Sequence, residues 1–178
     1  MTRVVLVGDH HLAHLGPAPE GFDLPGVDGV LNAAADGTGA GDLLDQLRGA
    51  GATGDDVLVV SVGTHDAEPG RPRAVDDFAE DVRLLLDEVT PARTVLLVPP
   101  GVDEDRQSDD GERTNWDVAA YAERAAALFG AAGAQVVEAW VLLAPLRERA
   151  FAEDGLHLSG TGYDVLLPAL REAVAAVL

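Results

Sequence analysis

The sequence has 178 residues, 47% of them hydrophobic, and this length predicts one domain over residues 1–178. It carries 31 acidic and 12 basic residues, a net charge of −19, so nucleic acids and anionic membranes are not expected as partners because like charges repel. The chain contains neither Cys nor Lys, which excludes disulfides, thiolate nucleophiles, Cys-ligated zinc and lysine Schiff bases.

Five short apolar runs, each bounded by turn residues, predict the β-strands. They are Val4–Val7, Val27–Leu31, Val57–Val62, Val95–Val98 and Gln135–Val137. Runs of this length are typical of strands that are buried on both faces of a parallel sheet. We expect Val4–Val7 and Val57–Val62 to lie among the central strands.

Amphipathic stretches between these runs predict the helices. They are Gly41–Arg48, Val75–Val89, Trp116–Phe129 and Tyr163–Leu178. Ser159 is the expected N-cap of the last helix. The alternation of strands and helices over one domain predicts an α/β fold, a three-layer αβα sandwich with a five-stranded parallel sheet and right-handed crossovers.

One long segment, Pro99–Arg113, lacks apolar periodicity and follows the fourth predicted strand. It fits a mobile surface loop. It equally fits a lid or a substrate loop, since open α/β sheets bind their ligands at the carboxyl ends of the strands.

Targeting signals and membrane spans are not visible in the sequence. Val4–Val7 is too short for the hydrophobic region of a signal peptide, and no apolar run reaches the length that spans a membrane. We therefore expect a soluble cytoplasmic protein without a membrane partner. The sequence leaves its oligomeric state open.

Four polar segments each follow a predicted strand or precede the last helix. They read Gly8-Asp9-His10-His11, Asn32-Ala33-Ala34-Ala35-Asp36-Gly37, Gly63-Thr64-His65-Asp66 and Asp154-Gly155-Leu156-His157. Their order, spacing and flanking elements resemble the SGNH (GDSL-type) esterase and lipase family over nearly the whole chain. The resemblance implies the flavodoxin-like sandwich of that family and a small-molecule acyl substrate, such as an ester or a thioester.

The resemblance also assigns roles to individual residues. In the family, the first segment reads Gly-Asp-Ser with Ser as the nucleophile, the third reads Gly-x-Asn-Asp, and the last reads Asp-x-x-His. Asp154 and His157 therefore match the acid and the base of the catalytic triad, and Gly37 matches an oxyanion glycine by its place in the second segment. Asp9 and Asp66 match the acidic residues of the first and third segments and are candidates for oxyanion or substrate binding.

The sequence departs from the family pattern at two positions. His10 stands where the family has its nucleophilic Ser, and His65 stands where it has an oxyanion Asn. The chain has three Ser, none of them in the first segment: Ser61, Ser108 and Ser159. An imidazole can act as a nucleophile, a general acid or base, or an N–H donor. The neighbouring His11 and His14 are expected to be ordinary polar residues at the start of a helix.

Three interpretations of the function follow from this pattern. The first is an enzyme that hydrolyses or transfers an acyl group with His10, His157 and Asp154 as catalytic residues. The second is a metal-dependent or metal-binding protein in which His10, His65 and His157 hold a divalent cation, the one cofactor that these residues suggest. The third is a non-catalytic protein that binds a ligand in the same cleft. We expect the three imidazoles to line one cleft, with Asp154 hydrogen-bonded to the ring of His157.

Overall fold

The computed structural model describes residues 1–17, 19–70, 73–107 and 113–178. Within these residues, five strands form one sheet: β1 (Arg3–Gly8), β2 (Gly29–Asn32), β3 (Val57–Ser61), β4 (Thr94–Val98) and β5 (Gln135–Glu138). Neighbouring strands pair in parallel in the order β2-β1-β3-β4-β5. The prediction of five parallel strands, with those from Val4–Val7 and Val57–Val62 near the centre, is confirmed.

Helices connect the strands and cover the sheet. They are α1 (His10–Ala13), α2 (Leu43–Gly49), α3 (Val75–Glu88), α4 (Asn115–Ala132), α5 (Ala139–Leu143) and α6 (Gly160–Ala176). Short 3₁₀-helices lie at Ala40–Asp42, Pro91–Arg93 and Ala144–Ala150. Ser159 caps α6 as predicted, because its hydroxyl accepts a hydrogen bond from the N–H of Gly162 at 3.1 Å. The sequence did not predict α5, whose apolar residues run consecutively and show no helical period.

Alternate side chains of each strand point to opposite faces of the sheet and bury two apolar cores. On one face, Val5 and Val60 belong to a core that includes Phe78 of α3. On the other face, Val4 belongs to a core that includes Leu170 of α6. Burial on both faces explains why the strands are continuous apolar runs, and it confirms the predicted three-layer αβα sandwich. No helix in the described part of the chain is both long enough and apolar enough to cross a membrane.

The carboxyl end of β1 lies directly against the end of β3. Gly8 has a φ of 127°, and a Cβ atom there would lie 1.9 Å from the carbonyl oxygen of Ser61. The N–H of Asp9 donates to the same carbonyl at 3.1 Å. Only glycine fits this approach, which brings the loops that follow β1 and β3 together at the carboxyl edge of the sheet.

We expect Gly8→Ala to lower the free energy of unfolding by more than about 2 kcal/mol. The new methyl group would collide with the backbone of Ser61, and alanine disfavours the positive φ of residue 8. Gly16→Ala is the matched control. Gly16 also has a positive φ of 80°, but no other described atom lies within 4 Å of its missing Cβ. Urea denaturation compares the two variants, and equal losses would show that the contact with Ser61 does not constrain β1.

Candidate active site

Asp9 caps α1 at the point where β1 ends. Its Oδ1 accepts hydrogen bonds from the N–H of His11 at 3.2 Å and from the hydroxyl of Ser61 at 2.8 Å. The side chain is fully buried, and this burial raises the pKa of the Asp9 carboxyl although His10 and the hydrogen bonds oppose the shift. Asp9 therefore ties the start of α1 to β3 and sets where His10 lies.

Asp154 and His157 form a hydrogen-bonded pair on the loop before α6. Asp154 Oδ2 lies 2.6 Å from His157 Nδ1, while its Oδ1 accepts from the N–H groups of Leu156 and His157, each at 3.0 Å. Burial alone would raise the pKa of the Asp154 carboxyl, but these hydrogen bonds outweigh it and lower the pKa to about 2. The carboxylate thus accepts a hydrogen bond from Nδ1–H of His157, and Nε2 of this ring is the nitrogen that can accept a proton.

His10 lies beside this pair, with its ring centroid 4.9 Å from that of His157. Its side chain is buried, and its Nε2 is shielded from solvent and has no hydrogen-bond partner in the described part of the chain. Burial and the adjacent imidazole of His11 lower the pKa of His10 to about 3. The ring is therefore neutral at neutral pH.

Four imidazoles pack together here, and we call them the imidazole cluster: His10, His11, His14 and His157. The expectation that His11 is an ordinary polar residue is wrong, whereas His14 is exposed at the end of α1, as that expectation requires. His11 is fully buried, and its Nε2 lies 3.2 Å from the Thr64 hydroxyl. His14 stacks on His157 at 4.6 Å. His11 is buried because α1 is a single turn whose residues His10, His11 and Leu12 face the interior, whereas His14 follows this turn as its exposed C-cap.

We expect the stability contributed by His11 to depend on pH in a defined direction. Burial lowers the pKa of His11 to about 3 in the folded chain, against about 6.5 in an unfolded one. The unfolded state then binds the extra proton, so stability is fully present above pH 6.5 and is lost as the pH falls toward about 3. The stability advantage of the wild type over His11→Gln should shrink by about 1.4 kcal/mol per pH unit between about pH 6 and pH 4. Denaturant titrations at several pH values measure this difference, and a constant difference would show that His11 titrates normally.

Gly37 and His65 lie next to each other on the loops that follow β2 and β3. Gly37 has a φ of 74°, and a Cβ there would lie 3.9 Å from Cε1 of His65. His65 Nδ1 lies 3.4 Å from Glu68 Oε2, and this ring makes no ring contact with the imidazole cluster within the described ranges. The backbone N–H groups of Gly37 and His10 are not among the hydrogen-bond donors of the described residues.

Asp66 holds two loops together. It is buried, and both of its carboxylate oxygens accept from the N–H of Ala40, at 3.0 and 3.3 Å. Burial raises the pKa of the Asp66 carboxyl to about 6. The contact joins the loop of His65 to the loop of Gly37, so Asp66 is placed to position the predicted oxyanion residues.

The geometry does not support the metal interpretation. No group of three or more His, Cys, Asp or Glu side chains in the described ranges is arranged to hold a metal ion. Of the three predicted ligands, His10 and His157 come together, whereas His65 lies beside Gly37 instead. The third ring at the predicted pair is His14, and its Nε2 faces Asp36 at 3.2 Å.

The structure describes residues 99–107 and 113 of the segment Pro99–Arg113, and these residues make hydrogen bonds to the loops of the site. The N–H of Asp103 donates to the carbonyl of Gly155 at 2.8 Å, next to the His157 pair. Arg113 Nε donates to the carbonyl of Thr64 at 2.8 Å, and its side chain is 11% exposed. Residues 108–112 of the predicted lid, including Ser108, lie outside the described residues. The sequence pattern gave no signal that Arg113 would reach the site.

The chain is thus a parallel αβα sandwich with a His–Asp pair on the loop that precedes its last helix. A model of the GDSL-like lipase/acylhydrolase family matches residues 12–165. The chain therefore belongs to this family, whose members are esterases and lipases. The match begins after His10, so the unusual residue of the first segment lies just outside it.

Solved structures of similar proteins cover nearly all of the chain. A lipase/acylhydrolase from Enterococcus faecalis is 24% identical, with a TM-score of 0.82 over 98% of this chain and 95% of that one. An acetylxylan esterase from Geobacillus stearothermophilus is 15% identical, with a TM-score of 0.76 over 97% and 93%. An aryl esterase from M. smegmatis is 16% identical, with a TM-score of 0.73 over 100% of both chains. These likenesses establish a shared fold. No curated protein sequence matches the chain significantly.

Proposed function

We propose that the protein hydrolyses a small-molecule ester or thioester, with His157 and Asp154 as its acid/base pair and His10 at the nucleophile position of the family. The observation that carries the proposal is the 2.6 Å contact between His157 Nδ1 and Asp154 Oδ2, beside the start of α1. Membership of an esterase and lipase family supports an acyl substrate. The names of the similar structures, an aryl esterase and an acetylxylan esterase among them, support an ester.

His157 is the base in this proposal. Asp154 fixes the tautomer with the proton on Nδ1, so Nε2 can take a proton from the attacking group. The His157 side chain is 30% exposed, which lets water and a small substrate reach the ring. A pKa of about 2 keeps the Asp154 carboxylate charged at neutral pH, so it can accept the hydrogen bond from Nδ1–H of His157.

His10 supports the reaction without a covalent step. Its Nε2 is shielded from solvent by the surrounding side chains, which argues against attack by this atom on a carbonyl carbon. A pKa of about 3 keeps the His10 ring neutral, so this ring places a polar side chain beside His157 without adding a positive charge. The attacking group that this geometry favours is water.

The reaction is then a direct hydrolysis. Water adds to the acyl carbon while its proton passes to Nε2 of His157, giving a tetrahedral intermediate with a negative oxygen. The intermediate breaks its bond to the alcohol or thiol, and His157 returns the proton to this leaving group. The products are a carboxylic acid and an alcohol or thiol, and the enzyme regains its starting state.

Gly37, His65 and the N–H of His10 are the proposed donors to the negative oxygen. The backbone N–H of His10 stands at the start of α1, and that of Gly37 follows β2. Both lack an acceptor among the described residues, and the ring of His65 lies next to Gly37. Preorganised donors of this kind usually provide the largest single contribution to acyl transfer.

The test is a screen of chromogenic acyl esters and thioesters with the purified wild-type protein. We expect hydrolysis of short acyl esters without a burst, because no acyl-enzyme accumulates when water attacks directly. Stopped-flow measurements resolve the first turnover. A burst equal to the protein concentration would replace direct hydrolysis by a covalent route. Binding of acyl ligands without turnover of any ester or thioester would identify a non-catalytic protein instead.

A further inference from the structure

The imidazole of His14 lies flat against the imidazole of His157. The ring centroids are 4.6 Å apart and the ring planes differ by 7°. His10 meets the same two rings edge-on, at interplanar angles of 63° and 69°. A ring stacked on one face restricts rotation of His157 about its Cβ–Cγ bond, because turning the imidazole would drive its edge into His14.

Asp36 holds His14 in this stacked position. His14 Nε2 lies 3.2 Å from one carboxylate oxygen of Asp36 and 3.5 Å from the other. The pair is partly exposed, with His14 at 37% and Asp36 at 67%, so its energy is small and its value lies in orientation. His14 and Asp36 thus form a second pair of an imidazole and a carboxylate, beside the pair of His157 and Asp154.

Asn32 fixes the backbone on both sides of this second pair. Its Nδ2 donates to the carbonyls of Leu12 and Gly16, at 2.7 and 2.8 Å, which holds the chain around His14. Its Oδ1 accepts from the N–H of Ala34 at 3.1 Å, which shapes the turn that leads to Asp36. One side chain at the end of β2 therefore sets the distance between the two members of the pair.

We propose that His14, held by Asp36, is a positioning residue that keeps the ring of His157 aligned for proton transfer. Asp154 binds one edge of this ring and His14 covers one face, so the direction of Nε2 is determined by two independent contacts. The inference rests on the proposed function, in which His157 Nε2 exchanges a proton with water and the leaving group. Misplacement of a catalytic group by about 1 Å can slow such a transfer roughly 10²-fold.

Two variants separate stacking from general structure. His14→Ala removes the stacked ring, whereas His14→Phe restores a planar ring without a polar edge. We expect His14→Ala to lower kcat roughly 10-fold to 100-fold with little change in KM, and His14→Phe to recover most of that loss. A His14→Phe variant as impaired as His14→Ala would overturn the proposal.

A second measurement does not depend on activity. Proton NMR follows exchange of the His157 Nδ1 proton with water, which depends on how firmly the ring is held against Asp154. We expect faster exchange in His14→Ala and also in Asp36→Asn. The Asp36→Asn variant keeps both imidazole rings, so it provides the measurement if His14→Ala fails to fold. Unchanged exchange in these variants would overturn the positioning role. If no ester is hydrolysed, the proposed function fails, while this measurement still decides whether His14 holds His157.

Discussion

Replacing His157 with alanine is expected to lower kcat/KM for ester hydrolysis by roughly 10²–10⁴-fold, the range that a positioned general base contributes. The variant loses the nitrogen that accepts the proton of water, and it leaves the Asp154 carboxylate without the ring that lies at 2.6 Å. The measurement is the steady-state rate on the best ester from the screen.

Trp116→Ala provides the control for this comparison, because Trp116 is 85% exposed at the start of α4. It should keep wild-type activity. The far-ultraviolet circular dichroism of both variants establishes that they are folded. A folded His157→Ala protein that retains most of its activity would show that another group removes the proton, and the proposed role of His157 would be wrong.

The second large effect is expected from His10→Ser, which places a hydroxyl where the family has its nucleophile. His157, Asp154 and the N–H of Gly37 would then serve a serine at the start of α1, next to the ring of His157. We expect the variant to gain covalent labelling by a fluorophosphonate and a burst on short acyl esters, both of which the wild type should lack, because an acyl-serine now forms. Loss of one oxyanion donor costs about 10²–10³-fold in rate, so His65 in place of Asn should reduce this activity without abolishing it.

Mass spectrometry measures the labelling, with wild type and His10→Ser/His157→Ala as controls. The wild type should remain unlabelled at Ser61, which is buried and donates to Asp9, and at Ser159, which caps α6. The double variant should also remain unlabelled, because it lacks the base. A folded His10→Ser protein that is neither labelled nor active would mean that the cleft does not accept acyl substrates, which favours a binding function.

The central strands are elements that the local pattern of apolar residues predicts correctly. Val4–Val7 and Val57–Val62 are continuous apolar runs, and a strand that is buried on both faces requires such a run wherever it lies in the sheet. The same holds for the long helices, whose apolar spacing is a local property of the chain. The helix α5 was missed because no period marks it and its contacts with neighbouring elements decide its form.

The pairing of Asp154 with His157 was also accessible from sequence, since both residues lie on one tight turn and the family pattern names them. The oxyanion role of Gly37 stays a prediction from the family pattern. The burial of His10 could not be predicted from the sequence, because it depends on side chains that are distant in sequence and close only in the folded chain.

By itself the sequence determined the αβα sandwich, which follows from local periodicity, and it indicated the family and the His–Asp pair through the resemblance of its four polar segments to the family pattern. Only the tertiary structure decided that His14 rather than His65 joins the rings of His10 and His157, and that Arg113 reaches the loop of Thr64. These contacts join segments that come together because β1 and β3 pair and the last loop folds over α1. The spacing of residues along the chain does not predict such distances, since they are set by packing between the layers of the fold.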